Sequence, residues 1–413
     1  MATQSTSAQT QTAPNYTGPF ITVAILFGIF GFLTSLNNVL VAKLEAVFRL
    51  EHGPAMLATA AWFFAYLVFS VPAAKVIEMV GYKRTMVISL FVMVVGALLF
   101  IPAANMVSFP MTLFAIFVLA TGVCGLQTSA NPYVSILGPE HSAPARLTLA
   151  QAVNSIGSLA APWIAGIFIL TNPNSAADSA ATAHMLQGPY IAIAVALLLL
   201  GFAVMMLHLP AVTMTREFRP AAGGMEKSIW TYAHTVLGMV GIFFYVGLEI
   251  ALASITIQFC LAQGMTKVEA ASLMVSLFYL GMMVGRLLGS FIMVWIKADK
   301  LLIILGACGV ALLLAAMFTH GNVAIACLVL TGLANSIMYP TIFALGVAEL
   351  GPLTSKGSGV LTIGNVGGAV IPPLFGLLAD KVGIQYAFVI PIVGYLYVAY
   401  YGISGFKPSR KAA

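Results

Sequence analysis

The amino-acid sequence predicts an all-α integral membrane protein with twelve transmembrane helices in two pseudo-symmetric six-helix bundles. Three observations predict it: the composition, the number of long apolar runs and the position of the longest polar connection. Of 413 residues, 61% are hydrophobic and 7% are charged, and the mean hydropathy is +1.01. Soluble domains usually carry about a quarter charged residues. The composition therefore excludes water-soluble enzymes and nucleic-acid-binding proteins.

Twelve apolar runs are long enough to cross the hydrocarbon core of a bilayer, which takes about 20 helical residues. Proline, glycine and charged residues interrupt the sequence between them. A polar segment at 210–230 separates the sixth run from the seventh and leaves halves of similar length. The runs begin near Pro19, Pro54, Arg84, Phe109, Leu147, Pro189, Tyr232, Val268, Lys300, Asn322, Gly357 and Ile384.

The loops set the orientation of the chain. With the N-terminus inside, 14 of the 18 Lys and Arg residues fall in cytoplasmic segments, and this bias predicts that both termini are cytoplasmic. The loops at 74–84 and 285–300 place basic residues at equivalent turns of the two halves, as expected of a duplicated bundle. The predicted organisation is a disordered cytoplasmic tail at 1–18, a bundle at 19–209, a cytoplasmic linker at 210–231, a bundle at 232–405 and a cytoplasmic tail at 406–413.

Cysteine and motif patterns predict no metal site and no resident cofactor. The four cysteines lie inside apolar stretches without paired spacing, and no hydrolase, metalloprotease or phosphate-loop motif occurs in a plausible context. We expect a monomer that is surrounded by membrane lipid and has no nucleic-acid partner.

Polar side chains at mid-span predict the functional site, because a polar group at that depth needs a partner or a water-filled cavity. Amides and hydroxyls both donate and accept hydrogen bonds, which suits a ligand rich in hydroxyl groups, such as a sugar. The alternative is that they only join helices across the bundle. The candidate substrate-binding residues are Asn38, Gln127, Asn131, Gln151, Asn154, Glu249, Asn335 and Asn365.

Glu249 is the candidate for ion coupling. The other acidic residues fall at helix ends or in loops, whereas Glu249 lies near the middle of the seventh run. A carboxyl group there must be protonated or paired. The alternatives are a permanently protonated acid that joins helices, or a carboxylate that only binds substrate hydroxyls. Arg286, near the cytoplasmic end of the eighth run, is a candidate partner across an inner gate.

The chain resembles the fucose/proton symporter family of the major facilitator superfamily, which includes glucose/galactose transporters and fucose permease. Six segments carry the resemblance: SLNNVL (35–40), VGYKR (80–84), LQTSANPYVSILGP (126–139), RLTLAQAVNSIGS (146–158), FFYVGLEIA (243–251) and SIMYPTIFALG (336–346). The resemblance implies the major facilitator fold, alternating access, uptake of a hexose or related sugar, and cation coupling. It also implies a cytoplasmic gate that includes Glu78, Lys83 and Arg84 together with Arg286.

Two positions depart from the family pattern. Asn38 stands where the family typically has Asp, and Gln127 stands where fucose permease has Glu. Since an amide does not titrate near neutral pH, coupling is expected to pass through Glu249. Either H⁺ or Na⁺ fits, because Na⁺ is bound by oxygen ligands of the kind present.

The predicted function is therefore a secondary active sugar importer in a bacterial inner membrane. An uncoupled sugar facilitator is the first alternative. A multidrug or metabolite exporter and a sugar receptor without transport activity are less consistent with the many mid-span amides and the short cytoplasmic segments.

Overall fold

The computed structural model describes residues 16–47, 52–106, 108–169, 179–207, 209, 228–266 and 274–408. The helices in these ranges form twelve consecutive spans, which we number in chain order. Spans 1 to 6 are Thr17–Val47, His52–Val80, Tyr82–Asn105, Phe109–Ile136, Ala143–Ile169 and Ser179–Met206. Spans 7 to 12 are Ala233–Ala262, Val275–Ile292, Ala298–Phe318, Gly321–Asn335 with Met338–Gly346, Thr354–Ile363 with Gly367–Val382, and Ile384–Ala387 with Val389–Tyr400.

These spans confirm the predicted fold class. Helices satisfy their own backbone hydrogen bonds, as hydrocarbon requires. Span 6 departs most from its predicted start, because it begins at Ser179 and contains Pro189 within the helix. Span 1 begins at Thr17, inside the segment predicted as a tail. Most of the predicted linker at 210–231 lies outside the described residues, so the domain boundaries stay predictions.

Close glycine contacts repeat from one bundle to the other. In the first bundle, a Cβ atom at Gly157 of span 5 would overlap the carbonyl oxygen of Gly28 in span 1. In the second bundle, a Cβ atom at Gly367 of span 11 would overlap the carbonyl oxygen of Phe243 in span 7. Small residues let membrane helices approach this closely. Spans 7 and 11 of the second bundle thus pack against each other as spans 1 and 5 do in the first bundle.

Spans 10 and 11 are interrupted near the middle of the membrane. Span 10 stops at Asn335 and resumes at Met338. Span 11 passes through a 3₁₀ turn, Gly364–Val366, which contains Asn365. Such interruptions change the direction of the helix and release carbonyl groups from the α-helical pattern. In membrane proteins they occur where the backbone is buried in protein or lines a cavity.

The contact between spans 1 and 5 is expected to be sensitive to one methyl group. Gly157→Ala should lower the free energy of unfolding by about 1–3 kcal/mol, the usual cost of overpacking, and so lower the melting temperature in detergent. Gly376→Ala in span 11 is the matched control, because nothing lies within 4 Å of its Cβ position. Equal melting temperatures for the two variants would contradict this packing.

Candidate functional site

Amide side chains of spans 4 and 5 meet inside the first bundle. Asn131 is fully buried, and its Oδ1 accepts a hydrogen bond from Gln151 Nε2 at 3.4 Å. One turn away on span 4, Gln127 Oε1 accepts a hydrogen bond from the Tyr66 hydroxyl of span 2 at 3.2 Å. The four-residue spacing places Gln127 and Asn131 on one helix face. That face points toward the second bundle.

Tyr339 connects the amides of the two bundles. Asn131 Nδ2 donates to the Tyr339 hydroxyl at 3.4 Å. Tyr339 lies just after the interruption in span 10, and its hydroxyl also interacts with Asn365 in the 3₁₀ turn of span 11. The interruptions of spans 10 and 11 thus place polar groups opposite Asn131. We call Gln127, Asn131, Gln151, Asn335, Tyr339 and Asn365 the central polar cluster.

Asn335 extends the cluster within the second bundle. Its Oδ1 accepts a hydrogen bond from the Tyr395 hydroxyl of span 12 at 2.6 Å. Asn335 is fully buried, and its Nδ2 has no hydrogen-bond partner among the described groups. A buried donor without a partner costs about 1–3 kcal/mol. The first segment of span 10 therefore ends at an amide whose Nδ2 can still donate a hydrogen bond.

One of the predicted substrate-binding residues, Asn154, lies apart from this cluster. The Nδ2 of Asn154 donates to the carbonyl oxygen of Phe27 at 2.9 Å, across the contact between spans 1 and 5. Ser158 donates to the carbonyl oxygen of Gly31 at the same contact, at 3.2 Å. Asn154 thus joins helices in this structure. The Asn38 side chain lies outside the described residues.

Glu249 faces the interior of the second bundle. Its carboxyl group interacts electrostatically with the Arg286 guanidinium of span 8. The hydroxyls of Tyr245, Tyr279, Tyr339 and Tyr395 also lie within electrostatic range of it. Among the described residues, Glu249 forms no salt bridge within 4.0 Å. The carboxyl group therefore lies beside a guanidinium group and several tyrosine hydroxyls, without a close ion pair to the cation.

The cytoplasmic ends of the bundles are held together by hydrogen bonds and one ion pair. Glu78, at the end of span 2, accepts from the Ser355 hydroxyl at 3.3 Å and pairs with Lys356 at 3.7 Å. Ser355 and Lys356 occupy the first turn of span 11, where a carboxylate also meets the positive end of the helix dipole. We call this contact the inner gate.

Other contacts extend the inner gate. The Ser358 hydroxyl of span 11 donates to the carbonyl oxygen of Thr128 at 2.6 Å. In the loops, Glu140 Oε1 accepts from the backbone N–H of Glu349 at 2.9 Å. Both contacts join the two bundles on the cytoplasmic side.

The remaining predicted gate residues differ in their contacts. Arg286 reaches span 5, where it donates to the Ser155 hydroxyl at 2.5 Å. Lys83 donates to the carbonyl oxygen of Met205 in its own bundle, at 2.8 Å. Arg84 is exposed. Glu78 and Arg286 therefore contact the opposite bundle in this structure, whereas Lys83 does not.

An apolar cavity separates spans 2, 4 and 11 toward the outer side. Its volume is about 420 Å³, and its lining includes Leu57, Phe64, Leu113 and Val366. The described contacts that join the two bundles through Glu78, Ser358 and Glu140 all lie toward the cytoplasmic ends.

Sequence reasoning missed several contributors. Lys356 could have been found as the one cation in the first turn of span 11, opposite the loop that contains Glu78. Ser155 lies in the polar segment RLTLAQAVNSIGS, but its role depends on Arg286 reaching it from span 8. Tyr395 lies in an apolar run and gives no separate signal.

Comparison with known proteins identifies the family. The model of the Major Facilitator Superfamily matches residues 22–363. The chain belongs to the major facilitator superfamily. It is 40% identical over 403 residues to a glucose/galactose transporter of Brucella abortus, covering 97% of each chain. It is 30% identical to the L-fucose-proton symporter of Escherichia coli, covering 89% of this chain and 88% of that one.

Solved structures of this superfamily agree with the fold. The MFS transporter FucP in the outward conformation has a TM-score of 0.85 and 29% identity, over 94% of this chain and 98% of that one. The prediction of a transporter in place of an enzyme is confirmed, since the named relatives are transporters. As a major facilitator protein with bacterial relatives, it is placed in the inner membrane.

The inner gate can be tested with a cysteine reporter at Ser358, which is buried in the closed contact. Glu78→Ala removes the acceptor for Ser355 and the partner of Lys356, so the gate should open more often. We expect alkylation from the cytoplasmic side, in inside-out vesicles, to become several-fold faster.

Lys83→Ala is the matched control, because the Lys83 amine bonds within its own bundle. It should leave the alkylation rate unchanged. Acceleration by Lys83→Ala to the same extent as by Glu78→Ala would show that the inner gate does not depend on the contact between the bundles.

Proposed function

We propose that this protein imports a hexose-type sugar together with a proton, with the central polar cluster as the sugar site and Glu249 as the proton-binding group. The observation that carries the proposal is the Asn131–Tyr339 contact, which brings an amide of the first bundle and a hydroxyl of the second together in the buried interior. A sugar bound there would contact both bundles, as alternating access requires.

The chemistry of the cluster supports a sugar substrate. Amides and tyrosine hydroxyls each donate and accept, so they match the mixed donor and acceptor pattern of sugar hydroxyls. The hydrogen bonds at 3.4 Å from Asn131 to Gln151 and Tyr339 are long, beyond the usual range of 2.7–3.2 Å. A ligand can therefore replace them at little cost. The names of the Brucella and E. coli relatives support the same substrate class.

The surroundings of Glu249 favour a proton over Na⁺. The guanidinium of Arg286 interacts with the Glu249 carboxyl, and its positive charge would repel a metal cation at the same place. A proton adds no second charge centre, because it neutralises the carboxylate. The E. coli relative is also named a proton symporter. Na⁺ coupling therefore becomes an outcome of the test.

The proposal is tested by uptake of labelled glucose, galactose and fucose into proteoliposomes, under an inward proton gradient or an inward Na⁺ gradient. We expect the wild type to accumulate sugar above equilibrium with the proton gradient only. Glu249→Gln keeps the size and hydrogen-bonding capacity of the side chain but does not titrate. It should bring sugar to equilibrium and no further.

Asp380→Asn is the matched control for Glu249→Gln, since it makes the same chemical change at an exposed position near the end of span 11. It should accumulate sugar as the wild type does. If the Na⁺ gradient drives uptake, the coupled ion is Na⁺, and the proposal of proton coupling is wrong. If neither gradient drives accumulation while the wild type and Glu249→Gln both exchange sugar, the protein is an uncoupled facilitator. The amide side chains of Asn38 and Gln127, which do not titrate, would be consistent with that result.

Substrate affinity should separate the central cluster from the amide that joins helices. Gln151→Ala removes one sugar-facing hydrogen bond and should weaken binding about 5- to 150-fold, equivalent to about 1–3 kcal/mol. Asn154→Ala removes the bond to the Phe27 carbonyl and should lower the melting temperature while changing affinity less than about threefold. Isothermal titration calorimetry and melting curves on both variants distinguish the two effects. Equal loss of affinity would place Asn154 in the sugar site.

A further inference from the structure

The Tyr245 hydroxyl is buried close to the Glu249 carboxyl and the Arg286 guanidinium. Tyr245 lies one helical turn before Glu249 on span 7, so the two side chains share a face. Its ring is 1% exposed, and its hydroxyl makes no hydrogen bond of standard geometry within the described structure. The hydroxyl nevertheless interacts electrostatically with both the Glu249 carboxyl and the Arg286 guanidinium.

Arg286 connects this region to the opposite bundle. Its Nε donates to the carbonyl oxygen of Ser336 at 3.1 Å, which lies in the interruption of span 10. Its Nη1 donates to the Ser155 hydroxyl of span 5 at 2.5 Å and to the carbonyl oxygen of Gln151 at 3.4 Å. All three acceptors are neutral. An ionised carboxylate would attract the guanidinium more strongly than any of them.

The groups that face Glu249 come from four spans. Span 7 contributes Tyr245, span 8 contributes Tyr279 and Arg286, span 10 contributes Tyr339, and span 12 contributes Tyr395. Span 11 packs against span 7 nearby through Ile371, which lies against Gly247. Arg286 is the one permanent charge among these described groups. The tyrosines stay neutral at physiological pH because their ordinary pKa is near 10.

We propose that Tyr245 is a positioning residue that links the charge of the Glu249 carboxyl to the contact between Arg286 and span 5. The inference rests on the proposed role of Glu249 in proton binding. When Glu249 is ionised, its carboxylate and the Tyr245 hydroxyl draw the guanidinium toward span 7, in competition with Ser155 and Gln151. When Glu249 is protonated, this competition weakens and Arg286 holds span 5.

The direction of the effect follows from these contacts. Protonation of Glu249 strengthens the contact between spans 5 and 8, which joins the two bundles in this structure. A protonated carrier is therefore held closed on the inside until sugar binds. This arrangement limits leakage of protons without sugar, because the empty protonated protein cannot readily release its proton to the cytoplasm.

The test is a conformational measurement that needs no transport. Spin labels at Met79 and Trp295, both strongly exposed at the cytoplasmic ends of spans 2 and 8, report the separation of the bundles by pulsed electron paramagnetic resonance. The native cysteines are replaced by alanine, and the protein is placed in lipid nanodiscs. The fraction closed on the inside is measured between about pH 5 and pH 9, which spans neutral pH on both sides.

We expect the closed fraction to rise several-fold as the pH falls. Glu249→Gln should be closed at every pH, and Arg286→Gln should be more open with no pH response. Tyr245→Phe should still close at low pH, but the proton concentration at the midpoint of closure should differ several-fold from that of the wild type. Ser155→Ala should lower the closed fraction and leave the midpoint pH unchanged. This variant weakens the contact between Arg286 and span 5 but leaves the interaction of Tyr245 with Glu249 and Arg286 intact.

Tyr190→Phe is the matched control for Tyr245→Phe. Tyr190 is also a fully buried tyrosine whose hydroxyl has no described partner, but it stacks on Phe100 within the first bundle. Its variant should keep the wild-type midpoint. The proposal is overturned if Tyr245→Phe and Tyr190→Phe both match the wild type, or if Arg286→Gln keeps the pH response.

Failure of this inference can be distinguished from failure of the proposed function. If proton-driven uptake depends on Glu249 but Tyr245→Phe leaves the midpoint unchanged, Glu249 binds the proton and Tyr245 does not link it to span 5. If Glu249→Gln still responds to pH in the labelled protein, a different group titrates. In that case both the coupling role of Glu249 and the link are wrong.

Discussion

A polar group at membrane depth must find its partner within the protein, and in this molecule that requirement is met across the boundary between the two bundles. Asn131 has Gln151 on its own side and Tyr339 on the other. Because the Asn131–Tyr339 bond is long and joins neutral groups, it connects the bundles without fixing them. The same requirement that joins the bundles here thus leaves hydrogen-bonding capacity that a substrate can use.

Two further contacts between the bundles involve charged groups. The ion pair of Glu78 with Lys356 joins the ends of spans 2 and 11, and Arg286 bridges spans 8 and 5. Rocking of one bundle against the other must break both contacts. An exposed ion pair contributes little free energy, which is suitable for a gate that opens repeatedly. The partly buried guanidinium contact is stronger, so it has more influence on when the gate opens.

The number and order of the spans could be predicted because hydrocarbon thickness fixes helix length and leaves few alternatives. The contacts of individual amide side chains could not be predicted from the sequence. Gln151 and Asn154 stand three residues apart in one polar run, yet one meets Asn131 and the other bonds to the carbonyl of Phe27 in span 1. Both amides suit either role, and only the packing of span 1 against Gly157 decides between them. The interruption of span 10 after Asn335 does have a signal in the sequence, because Pro340 has no N–H to bond the carbonyl of Ser336 four residues earlier.

The position of the single mid-membrane carboxyl has a consequence for how coupling can work. A carboxyl on span 1 or span 4 would lie in the first bundle, among the substrate amides. Glu249 instead lies in the second bundle, where the nearest permanent charge is that of Arg286, a side chain that already holds the first bundle. A change of charge at Glu249 therefore acts on the contact between the bundles without first passing through the sugar. On the proposed roles, proton binding and gate closure share one cation, Arg286, and sugar binding acts on the neutral amides beside it.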